Sequence, residues 1–233
     1  MRLTKINNLY QLSFMPNLFP VNCYLIEEEE YLVVIDAGLP FCKKAILKTA
    51  KVIGKPIKKI VLTHAHTDHV GALDGLTKEL QDVEVLIPRR ELKILQGDAS
   101  LEEGEGNMPI KGGIPKNIKT NPDTLLQDGD RIGSLVAIHT PGHTPGMMSY
   151  LDIRDHSLIV GDALQTKGGI AVAGDTRWSF PFPALATWNK EKAIESVENL
   201  LDYKPSLLAV GHGNLIRNPV KDMKRAIERA KGQ

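Results

Sequence analysis

The stretch Thr63 to Gly71 has the sequence Thr-His-Ala-His-Thr-Asp-His-Val-Gly, which places three imidazoles and a carboxylate within six consecutive positions. An Ile/Val/Leu run from Lys58 to Leu62 precedes it and predicts a buried strand, and the run from Val70 to Leu80 predicts a helix. A turn after a rigid strand can direct neighbouring side chains into one small volume, which the alternation of a strand cannot do. The side chains concerned are His64, His66, Asp68 and His69.

The residue types of this turn indicate a metal site. Neutral imidazole and carboxylate suit zinc, and less selectively iron or manganese. The alternative is a run of polar residues on a solvated loop, but three histidines this close together have no packing role. One turn cannot close a coordination sphere, so further ligands are expected where other strands end.

Three residues downstream meet that expectation, because each stands beside a glycine just after a short apolar run. They are His143 after Leu135 to Ile138, Asp162 after Ser157 to Val160, and His212 after Leu207 to Val210. Each alone is a weak signal, since Gly-Asp and Gly-His turns are common, but with the first cluster they form a set of seven. His139, on a predicted strand, and His156, at a predicted hairpin tip, lack the strand-end position and are left out.

With these seven residues the chain resembles the metallo-β-lactamase fold superfamily over nearly its whole length. The superfamily pattern is His-x-His-x-Asp-His followed by a distant His, Asp and His, and every position is filled here. The resemblance implies two divalent metal ions, most often Zn²⁺, with iron or manganese as alternatives. It assigns His64, His66 and His143 to one metal, Asp68, His69 and His212 to the other, and Asp162 to a bridge between them.

The resemblance also implies an α/β (α+β) fold, a four-layer αβ/βα sandwich of two mixed β-sheets with helices on the outer faces. At 233 residues and 42% hydrophobic content the chain could form one large domain or two small ones. Because the expected ligands come from both halves, residues 1–233 are predicted to form a single domain.

Charge and composition exclude several kinds of partner. A formal net charge of +1 offers no electrostatic footprint for nucleic acid or for a membrane surface. Met1 to Tyr10 lacks the apolar core of a secretory signal, and no run of about 18 apolar residues could span a bilayer. We therefore expect a cytoplasmic protein with a small-molecule substrate, while the oligomeric state is not predicted.

The N-terminal third predicts antiparallel strands at Ile6 to Leu12, Val21 to Ile26 and Tyr31 to Ile35, then a helix from Pro40 to Ile53. Asp36 ends the third strand. In the superfamily an Asp-x-Gly turn lies near the metals, so Asp36 is a candidate to hold a ligand from behind, the alternative being a turn-forming residue. Further on, Leu125 to His139 predicts a hairpin that turns at Asp128-Gly129.

Two irregular segments are candidates for the surroundings of the site. Gly97 to Thr124 is either a lid over the metals or a surface excursion that joins the two halves. The segment from Gln165 to Trp188 carries Trp178, Phe180 and Phe182 in a proline-rich stretch beside Asp162. These aromatic residues form either an apolar substrate wall or part of the core beneath the loop.

The resemblance implies hydrolysis of an ester, thioester, lactone, amide or phosphodiester by hydroxide that the two metals generate. Metals lower the pKa of bound water from about 15.7 toward about 7. Asp68 is a candidate proton shuttle if its carboxylate is not wholly occupied as a ligand.

Departures from known branches narrow this choice. Asp162 is generally absent from true β-lactamases, and His66 stands where flavodiiron reductases carry Glu. Only one predicted helix follows His212, where glyoxalase II has a helical domain for glutathione. Gln165 occupies the position of the tyrosine of quorum-quenching lactonases, and the basic arm of the tRNA-processing nucleases is lacking.

The sequence therefore predicts a compact hydrolase of the glyoxalase II-like branch that acts on a small ester, thioester or lactone. The alternatives are a mononuclear iron thiol or persulfide dioxygenase on the same scaffold and a phosphodiesterase.

Overall fold

The computed structural model describes residues 1–232 of the chain. The first sheet is built from the N-terminal part of the chain. Its strands are β1 (Arg2–Ile6), β2 (Leu9–Phe14), β3 (Val21–Glu27), β4 (Leu32–Ile35), β5 (Ile57–Val61), β6 (Glu84–Pro88) and β7 (Thr124–Leu126). They lie side by side in chain order. β1 to β4 pair antiparallel, whereas β4 to β7 run parallel because helices or a long segment connect them.

The second sheet is built from the C-terminal half. Its strands are β8 (Arg131–Ile132), β9 (Leu135–His139), β10 (Met148–Asp152), β11 (Ser157–Ile159), β14 (Leu207–Ala209) and β15 (Ile216–Arg217). Their order in space is β15-β14-β11-β10-β9-β8, and only β11 and β14 pair in parallel. A separate pair, β12 (Leu164–Gln165) and β13 (Ala171–Val172), lies between β11 and the next helix along the chain.

Seven α-helices accompany the sheets within the described residues. They are α1 (Lys43–Ile53), α2 (Thr67–Val70), α3 (Leu73–Glu79), α4 (Glu91–Leu95), α5 (Phe182–Leu185), α6 (Lys190–Leu200) and α7 (Val220–Lys231). α1 ends at Gly54, whose φ of 85° is a left-handed conformation that glycine adopts without steric cost. α6 begins where the Asn189 side chain accepts a hydrogen bond from the Lys192 N–H. None of the described helices is both long and apolar enough to cross a bilayer.

Three apolar layers hold these elements together and confirm the predicted sandwich. The central layer joins the inner faces of the two sheets, for example Ile35 of β4 and Tyr150 of β10. A second layer packs α1, α3 and α4 on the outer face of the first sheet, and a third packs α6 and α7 on the second sheet. The order of layers is therefore helix, sheet, sheet, helix.

Two predicted elements differ from the structure in their boundaries. The predicted helix Val70 to Leu80 starts earlier, at Thr67, and is interrupted between α2 and α3. The predicted strand Ile6 to Leu12 is two strands joined by a tight turn, in which Asn7 has a left-handed φ of 51°. These differences arise because short apolar runs do not reveal where a turn divides them.

The predicted hairpin from Leu125 to His139 is wrong. β7 pairs with β6 in the first sheet, and the chain then crosses at Asp128-Gly129 to the second sheet. The hairpin there joins β8 to β9 and turns at Gly133 and Ser134. Asp-Gly has the same turn propensity in a crossover as in a hairpin, so the dipeptide alone could not distinguish them.

Residues 97–123 contain no helix or strand, and we call them the strap. The strap is nevertheless attached to the body of the protein: Ile110 is buried in the core of the first sheet, and Ile114 and Ile118 pack against it. Most of its residues are exposed, and these apolar contacts attach it to the outer side of the first sheet.

Candidate metal centre

The structure brings the seven predicted side chains to one edge of the sandwich, just beyond strand ends. His64, His66, Asp68 and His69 follow β5, and the other three follow β9, β11 and β14. Potential ligand atoms lie within 4.8 Å of one another in the sets His64/His66/His143, His64/His69/Asp162 and Asp68/His69/His212. We call His64, His66 and His143 the first group, and Asp68, His69 and His212 the second group.

Asp162 lies between the two groups. Its Oδ2 is 3.4 Å from His143 Nε2 and 3.1 Å from His212 Nε2, and its Oδ1 is 3.5 Å from His69 Nε2. The carboxylate is 3% exposed. It is thus placed where one carboxylate can serve two cations.

Threonine hydroxyl groups determine which ring nitrogen carries the proton in two of the five histidines of the cluster. Thr63 Oγ1 lies 2.8 Å from Asp36 Oδ2 and 3.0 Å from His64 Nδ1. Because the ionised carboxylate can only accept, the hydroxyl donates to Asp36 and His64 Nδ1 donates to the hydroxyl. Thr187 Oγ1 likewise donates to the Pro183 carbonyl and accepts from His143 Nδ1 at 3.2 Å. In both rings Nε2 is left with a free lone pair.

Groups that can only accept fix the other three rings. His66 Nε2 lies 2.8 Å from the Lys111 carbonyl oxygen, and His212 Nδ1 lies 2.6 Å from that of Pro20. His69 Nδ1 lies 2.8 Å from Asp36 Oδ2. All five imidazoles therefore donate to a partner behind them, which we call the outer partner, and direct the other ring nitrogen inward, as metal-binding histidines do.

Unpaired atoms at the centre match this arrangement. His64 Nε2, His69 Nε2 and Asp162 Oδ1 are buried and have no hydrogen-bond partner within the described chain. An unsatisfied buried polar group costs about 1–3 kcal/mol, so three in one cluster need a common explanation. Divalent cations, bound by nitrogen and carboxylate oxygen, supply it. The residues present therefore fit a dinuclear metal site.

Close packing explains the glycine that precedes each downstream residue. A Cβ at Gly211 would lie 2.0 Å from Asp162 Oδ1 and 2.9 Å from His69 Cε1. A Cβ at Gly142 would lie 2.3 Å from the Cα of Ala193 in α6. Glycine is needed at these positions because the backbone lies too close to its neighbours for any side chain to fit.

The first group favours neutral imidazole. Burial lowers the pKa of all three histidines, that of His143 to about 3, and the neighbouring imidazoles lower that of His64 further. Asp162 opposes these shifts without reversing them.

The second group favours charge. Burial lowers the pKa of His69 and His212, but Asp162 and other carboxylates outweigh it, and they raise that of His212 to about 10. Burial opposes ionisation of Asp68 and Asp162, yet His69 and His212 hold the pKa of both carboxyls below the usual range.

Asp36 connects the first sheet to both groups. It is buried and accepts hydrogen bonds from the Thr63 N–H, the Thr63 hydroxyl and His69 Nδ1, each at 2.8 Å. Its φ of 60° is left-handed, a conformation that few non-glycine residues adopt but that aspartate tolerates. Its backbone also turns toward the site, since the Ala37 N–H donates to the His69 carbonyl at 2.7 Å.

Glu91, which the sequence analysis did not identify, ties two ligand turns together. Its carboxylate is fully buried and accepts from the N–H of Ala65 and of Gly146, each at 2.9 Å. Burial raises its pKa. A single glutamate in a short helix resembles a surface residue, so the sequence carries no signal for it.

A cavity of about 350 Å³ opens beside the cluster. It is lined by Phe19, Leu39, His66, Thr67, Asp68, Gly113, His143, Asp162, Phe182, Pro183, Ala186 and His212. A larger groove of about 600 Å³, between α6 and α7, contains none of the seven residues. The small cavity is therefore the candidate substrate site.

The four residues predicted to bind substrate lie in different places. Phe182 is 52% exposed and lines the cavity, whereas Trp178 is 93% exposed to solvent and does not line it. Phe180 is buried behind the wall, with ring centroids 5.5 Å from His212 and 5.2 Å from Phe19. Gln165 is also buried, and its Nε2 donates to the Phe180 carbonyl at 3.3 Å. Only Phe182 belongs to the wall, since the loop folds Phe180 and Gln165 inward and turns Trp178 outward.

This fold and this cluster of histidines and aspartates are typical of a metal-dependent enzyme, and comparison with known protein families leads to the same class. The model of the metallo-β-lactamase superfamily matches residues 16–212, and the chain belongs to that superfamily.

Individual relatives support the assignment. The chain is 55% identical over 231 residues to YobT of Bacillus subtilis (strain 168), with 99% of each chain covered. It is 32% identical to the probable metallo-hydrolase YflN of the same organism, over 82% of this chain and 80% of YflN. It is 28% identical to the hydroxyacylglutathione hydrolase GloC of Haemophilus influenzae, over 84% of this chain and 87% of GloC. Among solved structures, TTHA1623 in a di-iron-bound form is similar with a TM-score of 0.67 and 27% identity, covering 91% and 96% of the two chains.

Proposed function

We propose that the protein is a hydrolase that binds two divalent cations and cleaves a small, uncharged ester, thioester or lactone. The observation that carries this proposal is the cluster itself: five imidazoles, each with one ring nitrogen directed inward, surround a carboxylate that lies between two groups. His64, His66 and His143 would hold one cation, and Asp68, His69 and His212 the other, with Asp162 shared. Bound there, two cations, most often zinc, supply positive charge that acidifies water and polarises a carbonyl.

The side chains of the protein perform the remaining tasks. The outer partners hold the imidazoles in one tautomer, so the ligand atoms need no rearrangement when a cation binds. Asp68 has contacts from Oδ2 only, at 3.4 Å to His212 Nε2 and 3.9 Å to His69 Nε2. Because its pKa is low, the carboxylate is ionised at neutral pH, which suits a ligand. With Oδ2 facing the second group, Oδ1 would be the oxygen left to relay a proton. Phe19, Leu39 and Phe182 keep one side of the cavity apolar.

The cavity lining favours an uncharged substrate. Among the described residues that line it there is no lysine or arginine. Phosphate and carboxylate groups are recognised in proteins mainly by such cations. A phosphodiester or an acidic substrate would thus find partners only in the metals themselves. An acyl group of modest size fits both the apolar wall and a volume near the lower end of small-molecule sites, about 300–1,000 Å³.

Thioesters stay within this class. GloC is a hydroxyacylglutathione hydrolase by name, and the present chain covers 87% of its length. This similarity keeps an uncharged thioester among the proposed substrates. We keep the glyoxalase II-like branch as the proposed relationship.

Metal analysis and a substrate screen test the proposal together. We expect two cations per chain in the purified protein, and turnover of p-nitrophenyl acetate, a simple thioester or a γ-lactone that exceeds turnover of bis(p-nitrophenyl) phosphate. One iron per chain with oxygen consumption on a thiol or persulfide would favour the dioxygenase instead. No metal after reconstitution with zinc would refute both.

A further inference from the structure

We propose that the strap is a positioning element of the metal centre, in which the backbone of Lys111, Gly112 and Gly113 sets the ring of His66. This inference rests on the proposed two-metal function, and it adds a part of the chain that holds no ligand of its own. It assigns a purpose to the irregular segment between α4 and β7.

The first step is the hydrogen bond behind His66. The Lys111 carbonyl accepts from Nε2 at 2.8 Å, and Nδ1 then faces His143 Nε2 at 3.0 Å. The outer partners of the other four histidines come from Thr63, Asp36, Pro20 and Thr187, all outside the strap. Among the described contacts, His66 alone takes its outer partner from the strap.

The second step is the pair of glycines. Gly112 has a φ of 96°, and a Cβ there would lie 2.4 Å from His66 Nε2 and 2.5 Å from Cε1. A Cβ at Gly113 would lie 2.3 Å from Thr67 Oγ1, and the Gly113 carbonyl accepts from the Thr67 N–H at 2.8 Å. The strap can lie directly on the ligand turn only because both positions lack a side chain.

The third step is the anchoring of the strap on both sides of the glycines. Trp188 Nε1 donates to the Met108 carbonyl at 2.9 Å, while the Trp188 N–H donates to the His143 carbonyl at 3.0 Å. Trp188 therefore connects the strap to a second ligand of the first group. Beyond the glycines, the Asp74 carboxylate accepts from the N–H of Lys119 and of Thr120.

Zinc affinity of the full-length apoprotein tests the proposal, because it reports on the site without requiring turnover. We expect Gly112→Ala to weaken one of two zinc equivalents by about 10–100-fold, the usual effect of disturbing an outer partner. Gly104→Ala is the matched control: Gly104 lies in the same strap with a φ of 86°, but a Cβ there meets nothing within 4 Å. Wild-type affinity in Gly112→Ala, or equal weakening in Gly104→Ala, would overturn the proposal.

A second pair of variants decides the matter if Gly112→Ala does not fold. Gly113→Ala places a methyl group against Thr67 Oγ1, and Thr67→Ala removes that atom, after which the nearest neighbour lies at 3.5 Å. We expect Gly113→Ala to weaken one zinc equivalent and the double variant Thr67→Ala/Gly113→Ala to restore it. A double variant as weak as Gly113→Ala would contradict the strap's role. Two zincs bound without any hydrolysis in the wild type would instead refute the proposed function alone.

Discussion

The two ligand groups share one carboxylate but differ in the charge around them. The outer partners of the first group are neutral, namely Thr63, Thr187 and the Lys111 carbonyl, and its histidines have lowered pKa values. The second group lies among Asp36, Asp68 and Asp162, which raise the pKa of His69 and His212. The first group thus offers lone pairs that are already free of protons, whereas the second exchanges protons for a cation. Neighbouring side chains therefore keep the histidines of the first group neutral and those of the second group charged.

Removing the shared carboxylate should have the largest effect. We expect Asp162→Ala to weaken cation binding at both groups and to lower kcat/KM by at least about a thousandfold, since the lost metal charge is worth several kcal/mol in the transition state. Metal content and steady-state kinetics provide the measurement, and Asp202→Ala, an exposed aspartate far along the chain, is the control.

His66→Ala sharpens the same experiment, because it removes a ligand from the first group only. We expect it to retain up to one cation per chain while losing most activity. For the preceding variant, Asp162→Ala, full metal content and full turnover would show that the two groups do not share a carboxylate.

Proton release should separate the groups by pH. The pKa of His212 is raised to about 10 from 6.5, so the apoprotein keeps this proton over the whole interval in between. A bound imidazole is neutral, and cation binding to the second group must therefore release it. We expect the affinity of one zinc equivalent to rise by about tenfold to a hundredfold per pH unit from pH 6.5 to 8.5, since His212 and His69 both have raised pKa values and each displaced proton contributes a factor of ten. The affinity of the other equivalent should change little, because the pKa of His143 is about 3.

Competition with a chelator at three pH values measures how the affinity of each zinc equivalent changes with pH, which gives one slope for each equivalent. His156→Ala, which removes an exposed histidine at a hairpin tip, should leave both of them unchanged. Equal slopes for the two equivalents would remove the distinction between the groups.

A charged outer partner in the second group should matter more for zinc affinity than a neutral outer partner in the first group. Asp36→Asn keeps the left-handed backbone, which asparagine tolerates, but removes the charge behind His69. We expect it to weaken the second group by about 10–100-fold. Thr187→Val removes only a neutral acceptor at 3.2 Å from His143, so its effect on the first group should be smaller, no more than about tenfold. Zinc titration of both variants checks the order, and a larger loss in Thr187→Val would reverse it.

The sequence could bring the seven candidate ligands together as one set because each histidine or aspartate stands just after an apolar strand. It also predicted the sandwich, which the structure confirms, and the end of α1 at Ile53. It could not identify two of the outer partners, since the carbonyls of Pro20 and Lys111 are backbone atoms that any residue possesses. Gly112 and Gly113 gave no more than a loop signal, because the fit of glycine against His66 exists only in three dimensions.

Loops with aromatic residues were the weakest part of the prediction. Trp178, Phe180 and Phe182 follow one another at alternate positions, yet one is in solvent, one is in the core and one lines the cavity. A proline-rich loop has no fixed period, so its side-chain directions cannot be derived from spacing. Phe19 was missed for a related reason: it stands alone in the loop between β2 and β3, and only the fold brings it to Phe182, with ring centroids 5.1 Å apart.

The smallest expected effect concerns the apolar wall, which faces both groups and should influence binding rather than chemistry. We expect Phe182→Ala to raise KM about tenfold with little change in kcat, since losing contact with a half-exposed phenyl ring removes about 1–2 kcal/mol of apolar burial. Trp178→Ala is the matched control from the same loop, because its side chain is 93% exposed and does not line the cavity. Steady-state kinetics on the best ester of the screen measure both variants. A raised KM in Trp178→Ala, or a loss confined to kcat in Phe182→Ala, would show that substrate does not rest on this wall.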